Sequence, residues 1–140
     1  MRPSLSLFLP LLAPLLLTGC VNDTASYRID NNDHALTVRV VQDYFWSKEA
    51  QVKLTAVRLP DCQRMMNLGE RALSGLEIEL FASGPNLYIL RAGDDTWQVD
   101  TGDCTQLEAP AANAVTGQAL GVFHLDEDKK LVFEAVEAAS

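Results

Sequence analysis

From residue 25 onward, apolar and polar side chains take turns along much of the chain with a period of two, as strands with one buried face require. Leu36, Val38 and Val40 alternate with Thr37 and Arg39; Val52, Leu54 and Ala56 alternate with Lys53 and Thr55. The clearest case is Leu76, Ile78 and Leu80 against Glu77 and Glu79. Turn-forming residues separate the runs. Asp30-Asn31-Asn32-Asp33 divides a short strand over Ala25–Ile29 from the one that starts near Leu36, because Asn and Asp tolerate left-handed backbone and bond neighbouring amides. Pro60-Asp61 ends the strand over Gln51–Leu59. Ser83-Gly84-Pro85-Asn86 and Gly93-Asp94-Asp95 turn Leu76–Leu80, Leu87–Arg91 and Trp97–Val99 into a three-stranded antiparallel meander. Gly117–Leu125 and Leu131–Val136 flank the polar hairpin tip Asp126-Glu127-Asp128-Lys129-Lys130.

Three stretches break the period. Gln63–Leu73 reads either as one or two helical turns or as an irregular strand broken at Gly69, with Met65-Met66 as packing residues. Glu108–Thr116 is alanine-rich, contains Pro110 and reads as a loop. Tyr44-Phe45-Trp46 extends the strand after Val40, and three consecutive rings cannot all face one side of it. At least one lies near the surface, either at a core edge or as a contact patch for a partner.

The N-terminus has a different texture. One basic residue, Arg2, precedes an apolar stretch from Leu5 to Leu17 that is interrupted by Pro10 and Pro14. That is short of the roughly 20 residues a membrane-spanning helix needs, and it has the form of a secretory leader. Leu17-Thr18-Gly19-Cys20 closes it: an aliphatic residue, two small ones, then cysteine. The motif resembles the lipobox of bacterial lipoproteins. The resemblance covers residues 1–20 and implies that residues 1–19 are removed. It also implies that the Cys20 sulfur receives a diacylglyceryl group and that a third acyl chain, such as palmitate, joins the new amine. One fatty chain holds a protein reversibly, whereas two or more hold it in effect permanently. Val21, where inner-membrane lipoproteins often carry aspartate, implies the periplasmic face of the outer membrane. Residues 20–24 then form a short lipidated tether, of which Val21–Thr24 reaches about 14 Å at most. Residues 25–136 form a single β-rich domain, and residues 137–140 a frayed tail.

The chain of 140 residues holds 11 basic and 19 acidic residues, and the leader takes away only Arg2. An acidic surface argues against nucleic acid and against attraction to anionic lipid. With Cys20 assigned to lipid, Cys62 and Cys104 are left as an even pair in an oxidising compartment, and a disulfide is expected. Closing a loop of about 43 residues would stabilise the fold by roughly 4 kcal/mol through chain entropy.

Few residues carry chemistry. No G-x-S-x-G elbow and no glycine-rich phosphate loop occurs. Cys62, Cys104, His34 and His124 lack metal-binding spacing, and each histidine reads as a surface or edge residue. Asp126-Glu127-Asp128 lacks the calcium-loop pattern. Glu77 and Glu79 share a strand face roughly 7 Å apart, the one carboxylate pair that glycosidic chemistry could use. No cofactor and no metal is expected. Trp97 is expected in the core near the disulfide.

The expected fold is mainly β: a small antiparallel sandwich or open barrel of about eight strands, with room for one short helix. The expected role is non-enzymatic. It is that of a lipid-anchored envelope module that binds or helps assemble a protein partner, with Tyr44, Phe45 and Trp46 as the candidate contact. Two other roles stand beside it. One is inhibition of a basic periplasmic enzyme, since small acidic β lipoproteins that restrain lysozyme are similar in size and charge, though Ser83-Gly84 followed by Tyr88 matches their motif only loosely. The other is a carbohydrate-active enzyme using Glu77 and Glu79.

Overall fold

The computed structural model describes residues 20–136. The expected leader, residues 1–19, and the expected frayed tail, residues 137–140, lie outside the described residues. The described residues fold into ten strands: β1 (Asn22–Asn31), β2 (His34–Val41), β3 (Glu49–Arg58), β4 (Cys62–Ala72), β5 (Glu77–Gly84), β6 (Leu87–Ala92), β7 (Asp95–Asp100), β8 (Thr105–Leu107), β9 (Gln118–Leu125) and β10 (Leu131–Ala135). They pair throughout as antiparallel neighbours in two sheets. The first has the order β1-β2-β3-β4 and the second β10-β9-β5-β6-β7-β8. The sheets do not merge into a closed barrel. The fold is mainly β, as the alternation predicts, with two strands more than the eight or so expected.

Each sheet buries one face. Leu36, Val38 and Val40 of β2, Val52, Leu54 and Ala56 of β3, and Ile78, Leu80, Leu90, Val99 and Phe123 of the second sheet form one core. Leu54, Leu80 and Phe123 are fully buried, and burying such a side chain contributes roughly 1.5–3 kcal/mol. Phe133 on β10 packs against Phe123 at 4.8 Å and against Tyr27 on β1 at 5.3 Å, which draws the β1 and β10 edges together. The Asp23 carboxylate accepts the Leu131 amide there, at 3.0 Å.

The stretch over residues 63–73 is strand as far as Ala72, not helix, and a bulge explains its obscure pattern. Val52 pairs with Gly69 and Lys53 with Asn67, so Leu68 is an extra residue. Met66 and Leu68 point inward before the bulge; beyond it the phase has shifted, with Arg71 and Leu73 half-buried and Glu70 and Ala72 exposed. Gly69, at φ +88°, takes the left-handed backbone that the bulge requires.

Several other positions depart from expectation. The first strand begins at Asn22 rather than residue 25, so of the described residues only Cys20 and Val21 precede the sheet. β2 ends at Val41, and the three aromatics follow it in a turn. Trp97 is half-buried, its ring carrying the Arg71 guanidinium at 5.1 Å. The alanine-rich segment is a loop, as expected, and holds one 3-10 turn, Ala112–Ala114. It is held by Arg91 and Thr96, which donate to the carbonyls of Ala112 and Pro110.

Cys62, at the start of β4, is bonded to Cys104, between β7 and β8, so the expected disulfide links the two sheets.

Candidate functional site

The strand directions give the body two ends. At one lie the β1–β2 turn, the β3–β4 turn, the β5–β6 turn and the disulfide. At the other lie Cys20, the β2–β3 connection, the β4–β5 connection and the β9–β10 turn.

At the Cys20 end, residues 44–47 form a β-turn closed by the Ser47 amide donating to the Tyr44 carbonyl at 2.9 Å. Its two central residues are Phe45 and Trp46. Tyr44, Phe45 and Trp46 are 57 %, 63 % and 66 % exposed. They are organised against one another: Tyr44 stacks on Trp46 at 4.9 Å and 15°, and Phe45 meets Trp46 edge-on at 4.8 Å. Three such rings offer roughly 300–400 Å² of contiguous apolar surface, as large as the biggest patch on an ordinary monomer.

One side chain ties this turn to the N-terminus. Gln42 is buried, and its amide oxygen accepts the Val21 N–H at 3.1 Å. Its amide nitrogen donates to the Ser47 carbonyl at 2.6 Å and to that of Phe45 at 3.4 Å. Its backbone N–H reaches the Val21 carbonyl at 2.7 Å. Val21 is itself buried, while Cys20 beside it is exposed and has a free thiol. Beside Val21 a hollow of about 350 Å³ is lined by Gln42, Phe45, Leu73, Leu125 and Lys129. Behind the turn the acidic residues crowd, and Glu49 with Asp43 pushes the Glu70 carboxyl above its ordinary value of 4.5.

At the other end, His34 is buried rather than on the surface, correcting the sequence expectation. Its Nδ1 lies 2.8 Å from Asp30 Oδ2 and its Nε2 3.2 Å from Thr101 Oγ1. Hydroxyl, imidazole and carboxylate in that order have the connectivity of a nucleophilic triad. Thr101 has no exposed surface, however, and its hydroxyl also faces the Asn86 carbonyl at 3.3 Å. With no approach for a substrate, the set acts as a polar clasp between the sheets. Arg58 adds a bond to Asn86 at 3.1 Å, and the disulfide adds a covalent one.

The remaining candidates are engaged locally. Arg91 grips Glu79 with two hydrogen bonds, 3.0 and 2.8 Å, and the Glu79 carboxylate raises the Arg91 guanidinium further above its ordinary value. Glu77 is exposed and sits opposite His124, which bonds Glu134 at 2.9 Å. Asp126 uses one carboxylate oxygen to accept the amides of Asp128 and Lys130, which shapes the hairpin tip. Cys62, Cys104, His34 and His124 do not converge: both sulfurs are in the disulfide, and the histidines lie at opposite ends of the body.

Sequence reasoning singled out Cys20, the cysteine pair and the aromatic trio; it missed Gln42, whose partner is 21 residues away, and Thr101, 67 residues from His34. No protein family, curated protein or solved structure matches the chain.

Proposed function

We propose that this chain is a lipid-anchored protein of the bacterial cell envelope, cut ahead of Cys20, acylated there and held on the periplasmic side of the outer membrane. Its role in this reading is a non-enzymatic binding or assembly module, with Tyr44, Phe45 and Trp46 as its contact surface. The observation that carries the reading is Leu17-Thr18-Gly19-Cys20, ending in an exposed cysteine two residues ahead of the first strand. The Cys62–Cys104 disulfide supports it, because such bonds persist in oxidising compartments.

The contact surface rests on a second argument. Glu79 is gripped by Arg91, and Thr101 is sealed in a clasp, so these polar clusters already have structural partners. The rings of the aromatic turn stack on one another and, among the described residues, on no ring outside it.

Mass spectrometry of the mature protein from the producing bacterium tests the anchor. The expected product begins at Cys20 and carries a diacylglyceryl group. A chain with unmodified Cys20, recovered in the soluble periplasmic fraction, overturns it. In-cell crosslinking from a photoreactive residue at position 44 tests the contact surface. An adduct with an envelope component, lipid or protein, is expected, and the absence of any adduct removes the turn as a contact.

A further inference from the structure

We infer that the Tyr44–Trp46 turn docks on the bilayer that holds the anchor, entering the headgroup region as a second point of attachment. The inference rests on the lipidated Cys20 of the reading above and names what the aromatic surface touches.

The argument is one of distance and chemistry. Cys20 is a single Cα–Cα step, about 3.8 Å, from Val21. Val21 is fixed to the body by the Gln42 amide and backbone, and the same Gln42 side chain holds the carbonyls of Phe45 and Ser47. A lipid on Cys20 therefore cannot lie far from the turn, and the body cannot swing its aromatic tip away on a long tether. The first two residues of the mature chain leave almost no slack.

Composition points the same way. Tryptophan and tyrosine favour the membrane interface, where the ring is apolar and the N–H or O–H meets water. Trp46 and Tyr44 are stacked with their faces together, and Phe45 supplies the apolar wedge beside them. Lysines 48, 129 and 130 are exposed near this end, but so are Asp43, Glu49 and Glu70. The docking is thus carried by the rings and not by attraction to anionic headgroups. A protein partner on the same rings is the competing occupant. The anchor favours the bilayer, because it delivers the rings to lipid whatever else is present.

The test uses the acylated full-length mature protein, its lipid verified by intact mass, in vesicles of phosphatidylcholine. Trp97→Phe leaves Trp46 as the only tryptophan. Expected on reconstitution are an emission shift to shorter wavelength, several-fold protection from aqueous acrylamide, and quenching by phosphatidylcholine brominated on its acyl chains. The protection should persist as salt rises from about 0.1 to about 1 M, over which the screening length falls from about 10 to about 3 Å. The reciprocal Trp46→Phe protein should show none of these changes, and the difference between it and the unaltered protein gives the Trp46 signal should Trp97→Phe disturb the fold.

Trp46 as open to acrylamide in vesicles as in the unanchored domain overturns the docking while leaving the anchor intact. Trp46 open in vesicles yet shielded in native envelopes also overturns it, and assigns the rings to a protein. Unmodified Cys20 by intact mass removes both the anchor and the docking.

Discussion

The two ends of this sandwich are held by different means. At the disulfide end the sheets are joined to each other: covalently through Cys62–Cys104, and by polar bonds through His34–Thr101 and Arg58–Asn86. At the Cys20 end non-covalent bonds join the sheets, from the Leu131 amide to Asp23 and from Arg71 to Asp95, and Gln42 ties a connection to Val21 ahead of the first strand. Three large rings stand in solvent there, and carboxylates repel one another behind them. The contrast separates two demands on a small β domain. One end adds a covalent lock against opening. The other keeps apolar surface available, and a surface kept for a contact outside the molecule adds little to the stability of the free domain.

The contrast can be broken by perturbing each end in turn. Replacing Cys62 and Cys104 with serine should have the largest effect, a loss of about 4 kcal/mol in urea unfolding, set by the length of the loop they close. Gln42→Ala should come next. It leaves the buried Val21 N–H without its side-chain acceptor and should cost about 1–3 kcal/mol, with faster hydrogen exchange confined to residues 21 and 44–47. Thr101→Val keeps the shape but removes the hydroxyl from His34, and should cost about 1 kcal/mol in the same assay.

Replacing Tyr44, Phe45 and Trp46 together with serine should change unfolding free energy by no more than about 0.5 kcal/mol, as for exposed positions in general. A loss comparable to that of the disulfide would erase the distinction between the two ends. The smallest effect should be a gain. The Glu70 carboxyl is raised in the folded state by Glu49 and Asp43, so its ionisation opposes folding. That penalty is fully present at neutral pH and disappears as the pH falls below the ordinary carboxylate value. Glu70→Gln should therefore raise the melting midpoint slightly at pH 7 and leave it unchanged at pH 3, measured by thermal denaturation.

How much could be read in advance follows from how local each feature is. Leu36–Val40, Val52–Ala56 and Leu76–Leu80 announce strands because each alternates without interruption. β4 does not, because Leu68 inserts one residue and moves the inward set from Met66 and Leu68 to Arg71 and Leu73. A single period fitted across that bulge finds neither strand nor helix. The cysteine pair was legible from parity and compartment. His34 looked like a turn residue because its neighbours are Asp30–Asp33; its burial depends on Thr101, which follows β7 of the other sheet. The aromatic trio was legible as a conflict, since a strand could not bury all three rings. The chain resolves it by ending β2 at Val41 and turning.

The placement of β1 has a mechanical consequence. It leaves Val21 for the opposite end of the body, and its register with β2 runs from Asn22–Val41 to Asn31–His34. Ladder bonds in an antiparallel pair lie across the strand axis. Traction on Cys20, resisted at the far end, therefore loads those rungs together in shear and does not unzip them one after another. The N-terminal strand is positioned to serve as a handle by which the domain can be pulled without coming apart.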